Sequence, residues 1–250
     1  MRPKIFKINL LKFKMNSNQD QMRFLRQIQH SSFINVDISG HPATQIEGWM
    51  AQEFQQHFMQ ALKYVNTNNP VIIEVGTWKG LSANTMARIC KMDRKEPVIV
   101  CIDTWLGSPE HMEGESSSAG MERVNGLPTL FQTFLKNTKA HGNDDVIYPF
   151  PIASTQGAHY LTGKDMQADI IYIDAGHEYE AVLMDIKLYW KLLKNGGVMI
   201  FDDWRWPGVQ KAIKEFANLH PDSHLNVGEL QAYMIKSSHI LCTSTSTSAL

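Results

Sequence analysis

Four residues near the middle of the chain carry types and spacings that could do chemistry. Asp174 closes the apolar run Asp169-Ile-Ile-Tyr-Ile-Asp174, His177 follows three positions later, and Asp202 and Asp203 close a second run, Gly196-Gly197-Val-Met-Ile-Phe-Asp202-Asp203. If both runs are neighbouring strands, three carboxylates meet at their tips, where without partners they would repel and raise one another's pKa. A divalent ion removes that penalty, and oxygen-only ligands point to Mg²⁺, Ca²⁺ or Mn²⁺ rather than zinc. The competing arrangement makes one aspartate a helix cap and pairs another with Arg205. His177 has the ordinary pKa range of a general base. It could equally cap the helix that begins near Glu178, and Asp174 could share the base role.

A second group lies upstream. The strand Val71-Ile-Ile-Glu-Val runs into Glu74-Val-Gly76-Thr-Trp-Lys-Gly80-Leu-Ser82, a glycine-bearing turn that opens a helix. Glycine permits positive φ and close backbone approach to a ligand. The glycines are four apart and Lys79 precedes Gly80, so the turn is neither a dinucleotide fingerprint nor a Walker loop, which disfavours a pyrophosphate ligand. The next strand, Val98-Ile-Val-Cys-Ile-Asp103, ends 23 positions after Gly80, near the offset at which a carboxylate reaches ribose hydroxyls in nucleotide-binding βαβ units.

These groups need a scaffold that brings strand tips together. Strands are expected at 71–75, 97–102, 145–150, 169–173 and 197–201, with helices at 81–91, about 127–140, about 154–162, 178–193 and 207–218, and a final strand pair at about 223–227 and 230–236. Such alternation implies an α/β fold with a doubly wound, mostly parallel sheet of seven strands, helices on both faces and an antiparallel pair at the C-terminus. Ligands then sit at the carboxyl ends of the strands. Ile46, Trp49, Met50, Phe54, Phe58, Ala61, Leu62 and Val65 predict a further helix over 46–66, stopped by Asn-Thr-Asn-Asn-Pro70. Trp105 to Gly126 breaks the rhythm and leaves the tip of the second strand, as a lid would; His111 lies in it.

At 250 residues, 43% apolar and with a net charge of −1, the chain suits one globular domain and offers no bulk charge for nucleic acid or an acidic membrane. A small-molecule partner is the expectation. Cys90, Cys101 and Cys242 are too scattered for a disulfide framework or a zinc site, which fits a reducing, cytoplasmic setting. Residues 1–40 read as a basic, flexible extension; its first segment, with five basic residues and no acid before Asp20, fits a frayed terminus or sequence upstream of a start at Met15 better than a basic amphipathic arm or an organellar presequence. Residues 41–237 form the domain, and the Ser/Thr-rich 238–250 a disordered tail. The 46–66 helix and the N-terminal arm are surfaces through which a homo-oligomer could form.

Taken together, Glu74-x-Gly76-x-x-x-Gly80-x-Ser82, Asp103, Ile173-Asp174-x-x-His177-x-Tyr179 and the Gly196–Asp203 strand resemble a class I S-adenosylmethionine-dependent methyltransferase over about residues 45–236. The resemblance is to the metal-dependent O-methyltransferase branch that includes macrocin and related sugar enzymes, with a Rossmann-like fold. It implies that the loop Glu74, Gly76, Thr77, Trp78, Gly80 and Ser82 holds the cofactor, with Glu74 and Gly76 at its amino-acid part. It further implies Asp103 at the ribose, Thr104, Trp105 and Ser154 near the adenine, and Asp174 at the junction of cofactor and metal. Carboxylates and aromatic faces also attract a sulfonium cation.

The function expected is methyl transfer from S-adenosylmethionine to a hydroxyl of a sugar-like or catechol-like acceptor, assisted by Mg²⁺ or another divalent ion at Asp174, Asp202 and Asp203. The catalytic candidates are His177 and Asp174. Trp204, Arg205 and Trp206 would wall the acceptor pocket or pack at the last helix. An NAD(P)-dependent oxidoreductase is the enzymatic alternative, weakened by the missing third glycine. A cofactor-binding module without catalysis is the non-enzymatic one.

Overall fold

A computed structural model describes residues 17–42, 45–108 and 121–237. The expected tail at 238–250 and most of the expected lid, including His111, lie outside the described residues.

Seven strands form one sheet in the order β5-β2-β1-β6-β7-β9-β8, and a separate ribbon pairs β3 (Arg123–Val124) with β4 (Leu127–Pro128). The strands β1 (Val71–Val75), β2 (Val98–Asp103), β5 (Ile147–Pro151), β6 (Ala168–Ile173) and β7 (Leu193–Phe201) are mutually parallel. The strand β9 (Ala232–Ile235) runs antiparallel to β7, and β8 (His224–Val227) antiparallel to β9. This is the expected doubly wound sheet with its antiparallel C-terminal pair. The strand order reverses between β1 and β6, which opens a crevice at their carboxyl ends.

Side chains alternate across the sheet with the period of two that a pleat imposes. On β1, Ile73 and Val75 join one core, with helices α5 (Ser154–Gly163), α6 (Tyr179–Tyr189) and α7 (Pro207–Asn218). Ile72 joins the other, with α2 (Phe54–Leu62), α3 (Leu81–Met92) and α4 (Leu130–Ala140). Strands covered on both faces read as unbroken apolar runs, which is why the sequence located them well.

Two elements differ from expectation. Within the extension expected to be flexible, Ser17–Phe33 forms helix α1, whose Leu25 is buried against one core and whose Phe33 enters the other. The helix expected over 46–66 begins only at Phe54. Residues 45–53 instead run as an irregular wall segment, with Trp49 69% exposed. Charged anchors at both ends of that segment, described below, hold it off the helical path.

Candidate active site

The tips of β2, β1, β6 and β7 are stitched by backbone bonds, Gly76 N to Ile102 O (2.9 Å), Asp174 N to Val75 O (2.8 Å) and Asp202 N to Ile173 O (3.0 Å). Over them lies a cavity of about 1010 Å³, large enough for a nucleoside-sized ligand with a second molecule beside it. Of the residues expected at the cofactor, Gly76, Thr77, Trp78, Ser82, Asp103, Thr104, Ser154 and Asp174 line it. Gly76 sits at φ +85°, and a Cβ there would fall 1.9 Å from the Asp174 carbonyl oxygen, so only glycine permits the turn after β1 to lie this close to the tip of β6.

Glu74, Gly80 and Trp105 do not line the cavity. Glu74 is fully buried beneath the loop, accepting from the Ser82 hydroxyl and, at 3.4 Å, from the Cys101 thiol. Burial pushes its carboxyl up to about 7. Gly80 makes room for packing rather than for a ligand, because a Cβ there would meet the Phe134 ring at 2.8 Å. Trp105 is turned inward, 2% exposed, with its ring 4.8 and 4.9 Å from Phe131 and Phe134. Its indole N–H donates to the Trp78 carbonyl at 2.8 Å.

Asp103 is occupied by the loop itself. Its Oδ2 accepts from the backbone N–H of Thr77 (2.8 Å) and Trp78 (2.9 Å), and its Oδ1 from that of Trp105 (2.7 Å). Trp78 and Trp105 both adopt positive φ, 51° and 52°, a conformation bulky residues rarely hold without external support. The Asp103 carboxylate supplies that support, and it keeps little more than one acceptor site for a ribose hydroxyl.

On the other side, Asp203 Oδ2 and His177 Nε2 are 2.8 Å apart, and the imidazole stacks on Trp206 with centroids 4.5 Å apart and planes 17° apart. A carboxylate on one ring nitrogen fixes the tautomer and leaves the other nitrogen basic. Asp202 is occupied to the same degree as Asp103: Oδ2 accepts from Tyr172 OH (2.5 Å), and Oδ1 from Asp203 N (2.9 Å) and Gln231 Nε2 (3.2 Å). Burial, then the charges of Asp202, Asp203 and Glu74, push the Asp174 carboxyl far above the ordinary range, and burial raises Asp202 too. The three aspartates are therefore electrostatic neighbours, as their positions in sequence implied. Both oxygens of Asp202 and the Oδ2 of Asp203 are nonetheless turned to Tyr172, Gln231, His177 and backbone. Among the described residues no group of three or more His, Cys, Asp or Glu side chains is placed to hold a metal ion, so this donor set does not fit one as it stands.

Several wall residues left no signal as site residues in the sequence. Gly48, Trp49, Met50 and Ala51 line the cavity from the 45–53 segment. Glu47 pairs with the buried Lys79 at 2.7 Å at one end of that segment. At the other end, the Glu53 carboxylate accepts from the backbone N–H of Leu230 (2.8 Å), Gln231 (2.7 Å) and Glu229 (3.3 Å). Burial works against the ionised form of Glu53, but those amides outweigh it and hold its pKa low. Arg205 and Trp206 line the cavity, whereas Trp204 is buried in the core. Arg205 pairs with Glu229, not with an aspartate of the cluster.

A parallel sheet reversing at β1 and β6, a glycine turn after β1, an acid at the tip of β2 and the antiparallel β9–β8 pair beside β7 together make up the architecture of a class I S-adenosylmethionine-dependent methyltransferase fold. The chain belongs to the family described as "Methyltransferase domain", whose profile matches residues 73–204, just over half of its length. That membership sets the oxidoreductase alternative aside. An uncharacterized protein of Acanthamoeba polyphaga mimivirus is 25% identical over 178 residues, covering 68% of this chain and 70% of its own. Among solved structures, the O-methyltransferase NovP matches with a TM-score of 0.57 at 15% identity, over 89% of this chain and all of its own. The calicheamicin methyltransferase CalS11 matches with 0.56 at 16% identity, over 94% and 98%; its apo structure is described as a TDP-rhamnose 3'-O-methyltransferase. At such identities these likenesses speak for the fold.

Proposed function

We propose that the chain moves a methyl group from S-adenosylmethionine to a hydroxyl of a small sugar-like or catechol-like acceptor, with His177 as general base oriented by Asp203. The observation that carries this reading is that the His177–Asp203 pair opens onto the same cavity as the Gly76–Trp78 loop. Bound S-adenosylmethionine supplies an electrophilic methyl group on sulfur. Gly76, Thr77, Trp78, Asp103 and Ser154 would hold it. His177, with Nε2–H given to Asp203, takes the hydroxyl proton at Nδ1 as the acceptor oxygen bonds to the methyl carbon and the carbon–sulfur bond breaks. Trp206, stacked on the imidazole, keeps the ring in place and excludes water from one of its faces.

Sugar O-methylation by the structurally similar CalS11 supports a hydroxylated ring as acceptor. A divalent ion would require Asp174, Asp202 and Asp203 to reorient, and no step above is routed through one. Chelator-treated enzyme keeping full activity would remove the metal from the reading; activity lost in chelator and restored by Mg²⁺ would retain it. The reaction itself is tested with methyl-labelled S-adenosylmethionine and a panel of hydroxylated acceptors. Binding of S-adenosylhomocysteine without labelled product from any acceptor would favour the non-catalytic module.

A further inference from the structure

The segment 45–53 brings Gly48, Trp49, Met50 and Ala51 to the cavity wall. Apart from the Trp49 indole N–H, none of these side chains carries a strong hydrogen-bonding group, so this wall offers contact area rather than polar recognition. The polar parts of the cofactor are served elsewhere, by Thr77, Asp103 and Ser154 at the tips of β1 and β2 and the start of α5. Trp49 is nevertheless 69% exposed, an unusual place for a side chain whose ring gains most from burial. It is held there from both ends. Glu47 pairs with Lys79, itself 5% exposed, beside the cofactor loop. Glu53 accepts from the backbone N–H of Leu230, whose carbonyl takes the N–H of Trp204, so the other end is joined to the segment that carries Asp203 and Trp206. Between these anchors the Trp49 ring lies 6.1 Å from that of Trp78. Trp206, on the side of the base, stacks on His177 and is still 51% exposed.

We propose that Trp49 is a specificity-determining residue for the acceptor: its indole, together with that of Trp206, takes the apolar face of a hydroxylated ring. Indoles pack on flat aromatic rings and on the C–H face of a sugar, and a rigid ring loses little freedom when it stacks. An open-chain alcohol, such as a glycerol or a serine side chain, presents no such face and is disfavoured. The inference rests on the methyl-transfer reading and adds to it the residue that selects the ring. Trp206 already supports the imidazole, so Trp49 is the indole that can be changed without disturbing the proposed base.

Trp49→Ala and Trp49→Phe test it, with methyl-labelled S-adenosylmethionine and with catechol, methyl rhamnoside and propane-1,2-diol as acceptors. For a ring acceptor that is methylated, Trp49→Ala should raise KM at least about tenfold while kcat changes by less than about threefold. Trp49→Phe, which keeps an aromatic face, should recover most of that loss. Affinity for S-adenosylhomocysteine and KM for S-adenosylmethionine should stay within about twofold in both variants, which a collapsed wall would not allow. Propane-1,2-diol should be a poor acceptor and indifferent to either substitution. An unchanged KM for the ring, an equal loss of affinity for S-adenosylhomocysteine, or propane-1,2-diol used as well as the rings would overturn the proposal. If nothing is methylated, calorimetry on the protein loaded with S-adenosylhomocysteine reads the same contact from binding. A ring that binds the native protein and binds Trp49→Ala at least about tenfold more weakly leaves the Trp49 inference standing while the methyl-transfer reading fails. Equal binding by the variant, or no binding by either ring, overturns the inference itself.

Discussion

Asp203 sits at φ +56°, in the left-handed region where an aspartate needs a reason to be, and its carboxylate is bonded to His177. The strain at the tip of β7 thus aims the group that orients the base. His177→Asn keeps a partner for Asp203 but removes the basic nitrogen, so kcat should fall by about 10²- to 10⁴-fold with binding of S-adenosylhomocysteine unchanged; a fall of less than about threefold would dismiss His177 as the base. Gly208 belongs to the same arrangement, for a Cβ there would lie 2.4 Å from the His177 carbonyl oxygen. Glu74 shows a different use of a carboxylate. Its pKa of about 7, raised by burial from an ordinary 4.5, means that the folded state holds a proton the unfolded chain releases. The stabilisation from that proton is full below about 4.5 and lost as pH rises to about 7. The loss amounts to on the order of 3 kcal/mol. Urea unfolding between pH 4 and 8 should therefore show a falling stability relative to Glu74→Gln, and parallel curves for the two proteins would refute the assignment.

Elements carry the next level of control, because the two sides of the cavity are tied by contacts distant in sequence. The turn between β8 and β9 is held by Glu53, and from it Gln231, fully buried, reaches Asp202 at 3.2 Å while His57 Nδ1 contacts its Oε1 at 3.2 Å. Gln231→Leu would leave a buried carboxylate with one donor fewer, costing about 1–3 kcal/mol. If Gln231 sets the Asp202–Asp203 tip, kcat should drop while KM for S-adenosylmethionine stays; loss of both in proportion would make the residue only structural. The same non-local character explains what the sequence could and could not tell. Asp103, Asp174 and Asp202 were legible because each directly follows a short apolar run that, between helical stretches, reads as a buried parallel strand, and Asp203 because it adjoins Asp202. The inward turn of Trp105, the burial of Glu74 and the wall at 45–53 were not. They depend on Phe134, 29 residues from Trp105, on Lys79, 32 residues from Glu47, and on the β8–β9 turn, 176 to 178 residues from Glu53, and on capture of Asp103 by amides that only a folded loop presents. Trp49 fitted a helical stripe by spacing alone, yet the Glu47 and Glu53 anchors draw its segment out of helix.

At the scale of the whole molecule, the sheet must protect β5, an edge strand with apolar side chains on both faces. Exposed edges of that kind invite pairing with other chains. Helix α1 crosses it: Phe24 lies 6.0 Å from Phe150 and 4.7 Å from Tyr160, and Gln29 Nε2 donates to the Asp144 carbonyl at 2.6 Å. Beyond the helix, Lys139 Nζ donates to the Val36 carbonyl at 2.8 Å, so the strap is fixed to α4 on the opposite face. The sequence hid this helix because its polar face is long and a basic run precedes it, which together read as a frayed end. Leu25, 1% exposed, is its deepest anchor. Leu25→Ala should cost about 2–5 kcal/mol, the range for emptying a buried leucine site. A chain beginning at Asp37 should unfold at lower temperature than one beginning at Met15 and self-associate through the uncovered edge, measured by calorimetry and sedimentation. If both chains melt together and remain in the same oligomeric state, α1 is an appendage rather than a structural part of the domain, and the expectation of an extension over residues 1–40 would be reinstated.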